Sequence, residues 1–266
     1  MEARLLLQQV LGVNRAWLIA HSNDALHTNR DGEFQALITR RLAGEPIAYL
    51  IQQREFYGLT LCVSPDTLIP RPDSETLVDA ALAKIPHLSA MPITVLDLGT
   101  GSGAIALAIA RNRPQACVLA VDTSDAALAV AQHNASQLQL SNVQFALSDW
   151  YANLTEQRFD IIVSNPPYIA QNDPHLSQGD LRFEPLSALA SGLDGLDDIR
   201  QIINTSLFHL MPQGWLMLEH GYQQAMAVRD LMANAGLVGI YTKKDLAGND
   251  RVTFGKNPLI VSKHWD

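Results

Sequence analysis

The four residues Asn165-Pro166-Pro167-Tyr168 carry more chemical information than any other stretch of the chain. The Asn165 side-chain oxygen and the Pro166 backbone carbonyl are two acceptors on one rigid turn, because proline fixes φ and has no N–H of its own. Two such acceptors can hold both N–H bonds of a planar NH2 group. In an amide or an aromatic amine the nitrogen lone pair is delocalised into the π system, and holding both N–H bonds aims that lone pair at an electrophile. Tyr168 is placed to stack on the planar group. The help is positioning and electrostatics. No strong base is needed, since the nitrogen can lose its proton after the new bond has formed. The plain alternative is a proline-rich turn closing a strand, which Asn-Pro often initiates.

A second constellation runs from Leu96 to Gly103, "LDLGTGSG". Its core is Gly99, Thr100, Gly101, Ser102 and Gly103. Glycines let the backbone turn tightly and approach a ligand without a Cβ in the way, and the amides of a following helix then point at that ligand. Asp122 closes the next strand candidate, 21 residues beyond Gly101. A carboxylate there can accept both hydroxyls of a ribose. Together they describe a nucleoside site, and they leave its ligand open. A methyl donor fits. So does a nicotinamide or flavin dinucleotide, because Gly99-x-Gly101-x-x-Ala104 satisfies the permissive fingerprint. A tight structural turn is the third reading. Asp97 either reaches the methionine end of a donor or caps loop amides. Asp149 and Trp150 stand where an adenine would lie, with Trp150 offering an aromatic face or packing on the domain as most Trp residues do.

Both constellations follow strand patterns. From Ile93 onward, strands and helices alternate. The strands are expected at Val95–Leu98, Val118–Val121, Val143–Leu147, Phe159–Val163 and Trp215–Glu219, with two more near Val238–Thr242 and Val252–Gly255. The helices are expected at Ala104–Arg111, Asp125–Leu138, Asp197–Leu210 and Gln224–Ala235. This order predicts an α/β fold, an open and mostly parallel sheet with helices on both faces and an antiparallel edge strand. Ligands then bind at the carboxyl ends of the strands. The chain ahead of it reads differently. Helices are expected over Leu5–Leu11 and Ala36–Leu42, the second capped by Asp31 and stopped by Gly44 and Pro46. A hairpin follows between Glu55 and Ile69, then a helix over Glu75–Lys84. Residues 1–72 are taken as a small helical domain with a β-hairpin linker, and 73–266 as the main domain.

Composition bounds the function. The formal net charge is −8, which argues against long nucleic acid as the main ligand, since such proteins generally carry a basic face. Cys62 and Cys117 are the only cysteines and have no metal-type spacing. The histidines show no ligand spacing, so no metal is expected. There is no apolar run of about 18 residues and no signal-peptide pattern at Met1–Val10. A soluble, cytoplasmic monomer without a membrane partner is the expectation.

"GTGSG", "AVD" and "SNPPY", in that order, resemble a class I S-adenosylmethionine-dependent N-methyltransferase with its Rossmann-like sheet. "GEPIAYL", "EFYGL", "LIPRPDSE", "FEP", "GLDGL", "LEHG" and "GNDRV" narrow the resemblance to the PrmC/HemK family of protein-(glutamine-N5) methyltransferases. It covers nearly the whole chain, and only "RPDSE" (Arg71–Glu75) departs from the usual "RPETE". The resemblance implies a glutamine substrate in the Gly-Gly-Gln loop of class-1 peptide chain release factors, and an N-terminal domain that docks this partner. It implies S-adenosylmethionine as donor, contacted by Gly99, Thr100, Gly101, Ser102, Gly103, Asp122, Trp150 and Asn165. It implies that Asn165, Pro166, Pro167 and Tyr168 hold the amide, with Asn165, Pro166 and Tyr168 carrying the catalysis.

The same tetrapeptide would suit an adenine-N6 DNA methyltransferase or a guanine-N2 rRNA methyltransferase. The DNA enzyme would have to flip its base and would want a basic surface. A dehydrogenase has no use for the tetrapeptide, and a non-catalytic module has no use for both motifs intact. Arg71, Asp73 and Glu75 either line the substrate channel or form exposed linker ion pairs, worth about 0–1 kcal/mol each. His220 is read as structural, because the reaction needs no early proton removal.

Overall fold

The computed structural model describes residues 2–25, 28–87 and 91–258. The chain opens with four helices, α1 (Glu2–Leu11), α2 (Arg15–Ala20), α3 (Thr28–Leu42) and α4 (Ile47–Ile51). α3 begins ahead of the expected helix, so Asp31 sits in its first turn instead of capping it, where a carboxylate still faces the positive helix end. Gly44 (φ 98°) and Pro46 stop α3 as expected, but Pro46 at once opens α4, whose five residues were too short to show a period. Tyr49 of α4 donates its hydroxyl to the Thr67 carbonyl at 2.7 Å.

A hairpin follows, β1 (Gln53–Phe56) and β2 (Leu59–Cys62). Its two loop residues, Tyr57 (φ 52°) and Gly58 (φ 73°), are both left-handed, which matches the right-handed twist of the strands. Tyr57 holds this unfavourable conformation because its N–H donates to Glu75 Oε1 (3.0 Å) and its hydroxyl to Asp79 Oδ1 (2.7 Å). Both acceptors belong to α5 (Glu75–Lys84).

The remaining elements alternate: β3 (Thr94–Leu98), α6 (Ala104–Asn112), β4 (Cys117–Asp122), α7 (Asp125–Gln137), β5 (Val143–Leu147), β6 (Phe159–Ser164), α8 (Asp197–His209), β7 (Leu210–Glu219), α9 (Ala225–Asn234), β8 (Val238–Lys244) and β9 (Asp250–Lys256). The strands form one sheet in the order β5-β4-β3-β6-β7-β9-β8. β5, β4, β3, β6 and β7 are parallel. At the other edge β9 runs antiparallel, inserted between β7 and β8.

Side-chain alternation explains the layers. Val95, Ile161, Val163 and Met217 share one face with Leu77 and Val78 of α5, Leu107 and Ile109 of α6, and Phe56 and Leu61 of the hairpin. Leu96, Leu98, Ile162, Leu216 and Leu218 share the other with Ile199, Ile202 and Ile203 of α8 and Val228 and Met232 of α9. Successive strand residues point to opposite faces, so strands covered on both sides must be apolar throughout. The hairpin is therefore part of the core of the main domain and covers one face of the sheet.

A single polar side chain ties that hairpin to the glycine loop. Asn134 of α7 is 2% exposed. Its Nδ2 donates to the carbonyls of Cys62 (3.0 Å) and Ser102 (2.9 Å), and its Oδ1 accepts from the Cys62 N–H (2.7 Å). Replacing Asn134 by Ala leaves these groups without partners, at a cost of about 1–3 kcal/mol. A urea titration is expected to show a lower midpoint at unchanged slope. An unmoved midpoint would mean that the hairpin is held by apolar packing alone.

Candidate active site

The two motifs singled out from the sequence lie side by side because β3 and β6 are neighbours. Leu98 pairs with Ser164 in parallel register, and the Ser164 hydroxyl donates to the Leu98 carbonyl at 2.7 Å in a fully buried setting. The glycine loop leaves the end of β3 and the Asn-Pro-Pro-Tyr turn leaves the end of β6. Between them and the linker ahead of α5 lies a cavity of about 460 Å³, within the range of roughly 300–1,000 Å³ usual for small-ligand sites.

Gly99, Thr100, Gly101 and Ser102 line this cavity, as do Asp122 and Trp150. Gly99 has φ 70°, and a Cβ there would stand 3.2 Å from the Trp150 ring. Trp150 itself is left-handed (φ 46°) and packs its ring both on that glycine and on the core beneath α8. Gly103 does not line the cavity. It begins α6 with φ 84°, and a Cβ would meet Leu107 and Ala131 at about 3.0–3.1 Å, so its place is close helix packing. Asp122 holds the loop: its Oδ2 accepts from Gly101 N–H (2.8 Å) and its Oδ1 from Ser124 N–H (3.0 Å). Each oxygen keeps a second lone pair for a ligand.

Asp97 lies below the loop and is 1% exposed. Its Oδ2 accepts from the Thr100 hydroxyl (2.7 Å) and the Ala106 N–H (3.2 Å), so it does cap the loop. Its Oδ1 has no partner among the described residues. Burial pushes this carboxyl up to about 7, against the pull of those two hydrogen bonds.

On the acceptor side, Asn165 and Pro167 line the cavity and Pro166 and Tyr168 stand behind it. Asn165 Nδ2 donates to the Ser74 hydroxyl oxygen at 3.1 Å, which turns Asn165 Oδ1 away from Ser74. Tyr168 was expected to stack on a substrate. Its ring is partly exposed and packs on the core of the α8–α9 face, and its hydroxyl donates to Glu219 Oε1 at 3.3 Å. A tyrosine hydroxyl turned inward needs a partner, and that partner fixes the turn from behind.

The charged and polar residues of the linker have definite partners. Arg71 lines the cavity and pairs with Glu184, whose carboxylate also accepts from the Ile69 N–H at 3.1 Å. Asp73 pairs with Arg251 of β9 at 3.2 Å. Ser74 accepts from Asn165, and Glu75 accepts from Tyr57. Ser74, Glu184 and Glu219 were missed as site residues; the only trace of them was their membership of the segments "RPDSE", "FEP" and "LEHG". His220 is fully buried, and burial lowers its pKa. As a neutral ring it donates from Nδ1 to the Gly221 carbonyl (2.9 Å) and accepts at Nε2 from the Thr253 hydroxyl (2.8 Å), a structural place as expected.

The raised Asp97 carboxyl has a thermodynamic consequence. The unfolded group titrates near 3.8 and the folded one near 7, so the native state holds more protons between those values. Its contribution to stability is complete below pH about 4 and is lost as pH rises through about 7. Asp97→Asn removes that contribution, so the fall in Tm between pH 5 and pH 8, measured without ligand, is expected to be shallower than in the parent protein. An identical slope would place the Asp97 titration elsewhere.

A family model described as the methyltransferase small domain matches residues 74–180, and one described as the PrmC N-terminal domain matches residues 1–51. The release factor glutamine methyltransferase of Xylella fastidiosa strain Temecula1 is 54% identical over 257 residues, covering 97% of this chain and 93% of that protein. The release factor glutamine methyltransferase of Escherichia coli strain K12 is 48% identical over 255 residues, covering 96% and 91%. In fold, the chain is similar to the T. thermophilus 16S rRNA N2 G1207 methyltransferase in complex with AdoMet and guanosine, with a TM-score of 0.58 at 24% identity over 77% of this chain and 49% of that one. Similarity of this extent, spanning both the helical N-terminus and the sheet, means that the chain belongs to the release factor glutamine methyltransferase family.

Proposed function

We propose that this protein transfers a methyl group from S-adenosylmethionine to the side-chain amide nitrogen of the glutamine in the Gly-Gly-Gln loop of class-1 peptide chain release factors. The observation that carries the reading is the shared cavity. One wall is a glycine loop with a strand-end carboxylate, and the facing wall is the Asn-Pro-Pro-Tyr turn, from which Asn165 and Pro167 line the cavity. The donor supplies an electrophilic methyl group when bound.

Every other contribution belongs to the chain. The loop from Gly99 to Ser102 gives the donor a close backbone approach, Asp122 accepts from its ribose hydroxyls, and Trp150 offers a face to its adenine. The buried, unpartnered Asp97 Oδ1 suits the cationic methionine end of the donor. Asn165 Oδ1 and the Pro166 carbonyl accept the two N–H bonds of the glutamine amide, and Pro167 and Tyr168 keep the turn rigid. Holding both N–H bonds aims the nitrogen lone pair at the methyl group, and the spare proton leaves afterwards to water.

Residues 1–72 are proposed to carry the docking surface for the release factor and 73–266 the catalysis, with the hairpin of the first part packed into the core of the second. The net charge of −8 supports a protein substrate over nucleic acid. No helix among the described residues is long and apolar enough to cross a membrane; a monomer working in the cytoplasm without a membrane partner completes the proposal.

Radiolabelled methyl transfer tests the reading, with purified release factor, duplex DNA and rRNA in parallel. Label in the release factor that disappears when its loop glutamine is replaced is the expected result. Label in nucleic acid alone would contradict it and favour the adenine or guanine readings. Asn165→Ala is expected to lower kcat by about two to three orders of magnitude with donor binding largely retained. Normal turnover would remove Asn165 from the acceptor site. Asp122→Ala is expected to weaken the donor by about tenfold or more, as read by calorimetry. Unchanged donor affinity would exclude it from the ribose site.

A further inference from the structure

Proline has one soft backbone dihedral instead of two, because its ring locks φ. The stretch from Pro166 to Tyr168 therefore has few ways to bend. Where its far end is fixed, the peptide groups ahead of that end are fixed as well. Tyr168 is the far end. Its hydroxyl is held by Glu219. Its carbonyl oxygen has a separate partner, the side chain of Gln224, which stands immediately ahead of α9.

Gln224 uses both ends of its amide. Nε2 donates to the Tyr168 carbonyl at 3.0 Å and lies near two more carbonyls, Asp194 at 3.3 Å and Gly195 at 3.4 Å. Oε1 accepts from the Gly221 N–H at 2.8 Å. Reversal would set Oε1 against three carbonyls and Nε2 against an N–H, so the amide has one sense only. Three segments remote in sequence meet at this side chain: the Asn-Pro-Pro-Tyr turn, "GLDGL" and the end of "LEHG". The meeting is close. Gly195 is left-handed (φ 76°), and a Cβ there would run into the Tyr168 carbonyl oxygen and stand 2.9 Å from Gln224 Nε2. No side chain fits between that loop and the turn, which accounts for the second glycine of "GLDGL".

We propose that Gln224 is a positioning residue for the transfer: by donating to the Tyr168 carbonyl it fixes the end of the Asn-Pro-Pro-Tyr turn, and through the two prolines it fixes the groups that hold the substrate amide. Pro167, which lines the cavity, lies between this clamp and Asn165. The turn is thus anchored from outside at both ends, Asn165 through Ser74 and Tyr168 through Gln224. Gln224 makes no hydrogen bond to the glycine loop among the described residues. Its loss is therefore a loss of turnover and not of donor binding. This inference rests on the reading that the turn holds the substrate nitrogen.

Steady-state kinetics on release factor with Gln224→Met, Gln224→Glu, Gln224→Lys and Gly195→Ala test it, with donor affinity by calorimetry and Tm measured on each. Gln224→Met keeps the length and removes both hydrogen bonds, so kcat is expected to fall about tenfold with donor affinity unchanged. Gln224→Glu keeps an acceptor for Gly221 but sets an oxygen against the carbonyls, and is expected to lose at least as much. Gln224→Lys gives up Gly221 but keeps an N–H donor for Tyr168, and is expected to recover most of what Gln224→Met loses. Gly195→Ala displaces the Tyr168 carbonyl with Gln224 intact, and is expected to lower kcat as Gln224→Met does. A residue that only stabilised the fold would lower Tm without ranking kcat by the donor. A Gln224→Glu enzyme with kcat within about twofold of the parent, or a Gln224→Lys enzyme no better than Gln224→Met, would overturn the proposal while leaving the acceptor reading intact. A rise in KM for release factor at unchanged kcat would make Gln224 part of a docking surface and would overturn it too. No transfer to release factor by the parent enzyme would overturn this proposal and the function it rests on together.

Discussion

The parallel pairing of β3 with β6 is the constraint on which the site depends. Strand register is strict here, because a slip of one residue would exchange the two buried faces of an apolar strand. Val95 and Val163 would trade places with Leu96 and Ile162, and neither helix layer would fit. With the register fixed, Leu98 stands opposite Ser164, and the buried hydroxyl of Ser164 caps the Leu98 carbonyl where the ladder ends. Two loops must then emerge at the same height. One carries glycines and the other carries prolines, so one admits a ligand closely and the other offers fixed acceptors. Proximity of donor and acceptor is thus a by-product of hydrophobic packing several residues away.

The cavity needs an outer wall as well, and the chain makes it from the segment ahead of α5. Beyond Ile69, which packs on α4, that segment is held mainly by its polar side chains. It is fixed by polar contacts to separate parts of the sheet: Arg71 to Glu184, Asp73 to Arg251, Ser74 to Asn165, and Glu75 to the hairpin turn. Exposed ion pairs of this kind contribute little alone, but Glu184 and Arg251 are largely buried, and a buried charge left without its partner is costly. The motif is therefore better understood as four anchors than as a row of catalytic charges. Asn134 does the same for the hairpin behind it. The helical N-terminus is in turn joined to the wall through α4, where Ala48 and Tyr49 pack with Val63 and Ile69.

Much of this was legible in the sequence. The helix Glu75–Lys84 and the strand Val143–Leu147 have the expected bounds, and the other alternating elements differ by a few residues at their ends, where periodicity fades. α2 and α4 were missed because six and five residues are too few to show a period. The site's front was legible too: the glycine loop, Asp122 and the Asn-Pro-Pro-Tyr turn announce themselves by residue type. Its back was not. Ser74 and Glu219 are 145 residues apart and are ordinary residue types, and only the fold brings them to the two ends of the Asn-Pro-Pro-Tyr turn. Gly103 and Tyr168 show the converse. Both sit inside a recognisable motif, yet one serves helix packing and the other anchors a turn, because a motif records what its neighbours need as well as what a ligand needs.

The enzyme and its substrate meet in a single geometric claim: the glutamine NH2 lies between Asn165 Oδ1 and the Pro166 carbonyl, facing the glycine loop. A crystal structure with S-adenosylhomocysteine and a Gly-Gly-Gln peptide measures it directly. The expected result is an amide nitrogen at roughly 2.7–3.2 Å from both oxygens, with the donor sulfur on the opposite side and the Asn165 nitrogen still on Ser74. A glutamine bound outside the cavity, or held there with the Asn165 nitrogen turned toward it, would contradict the arrangement of the site and the mechanism built on it.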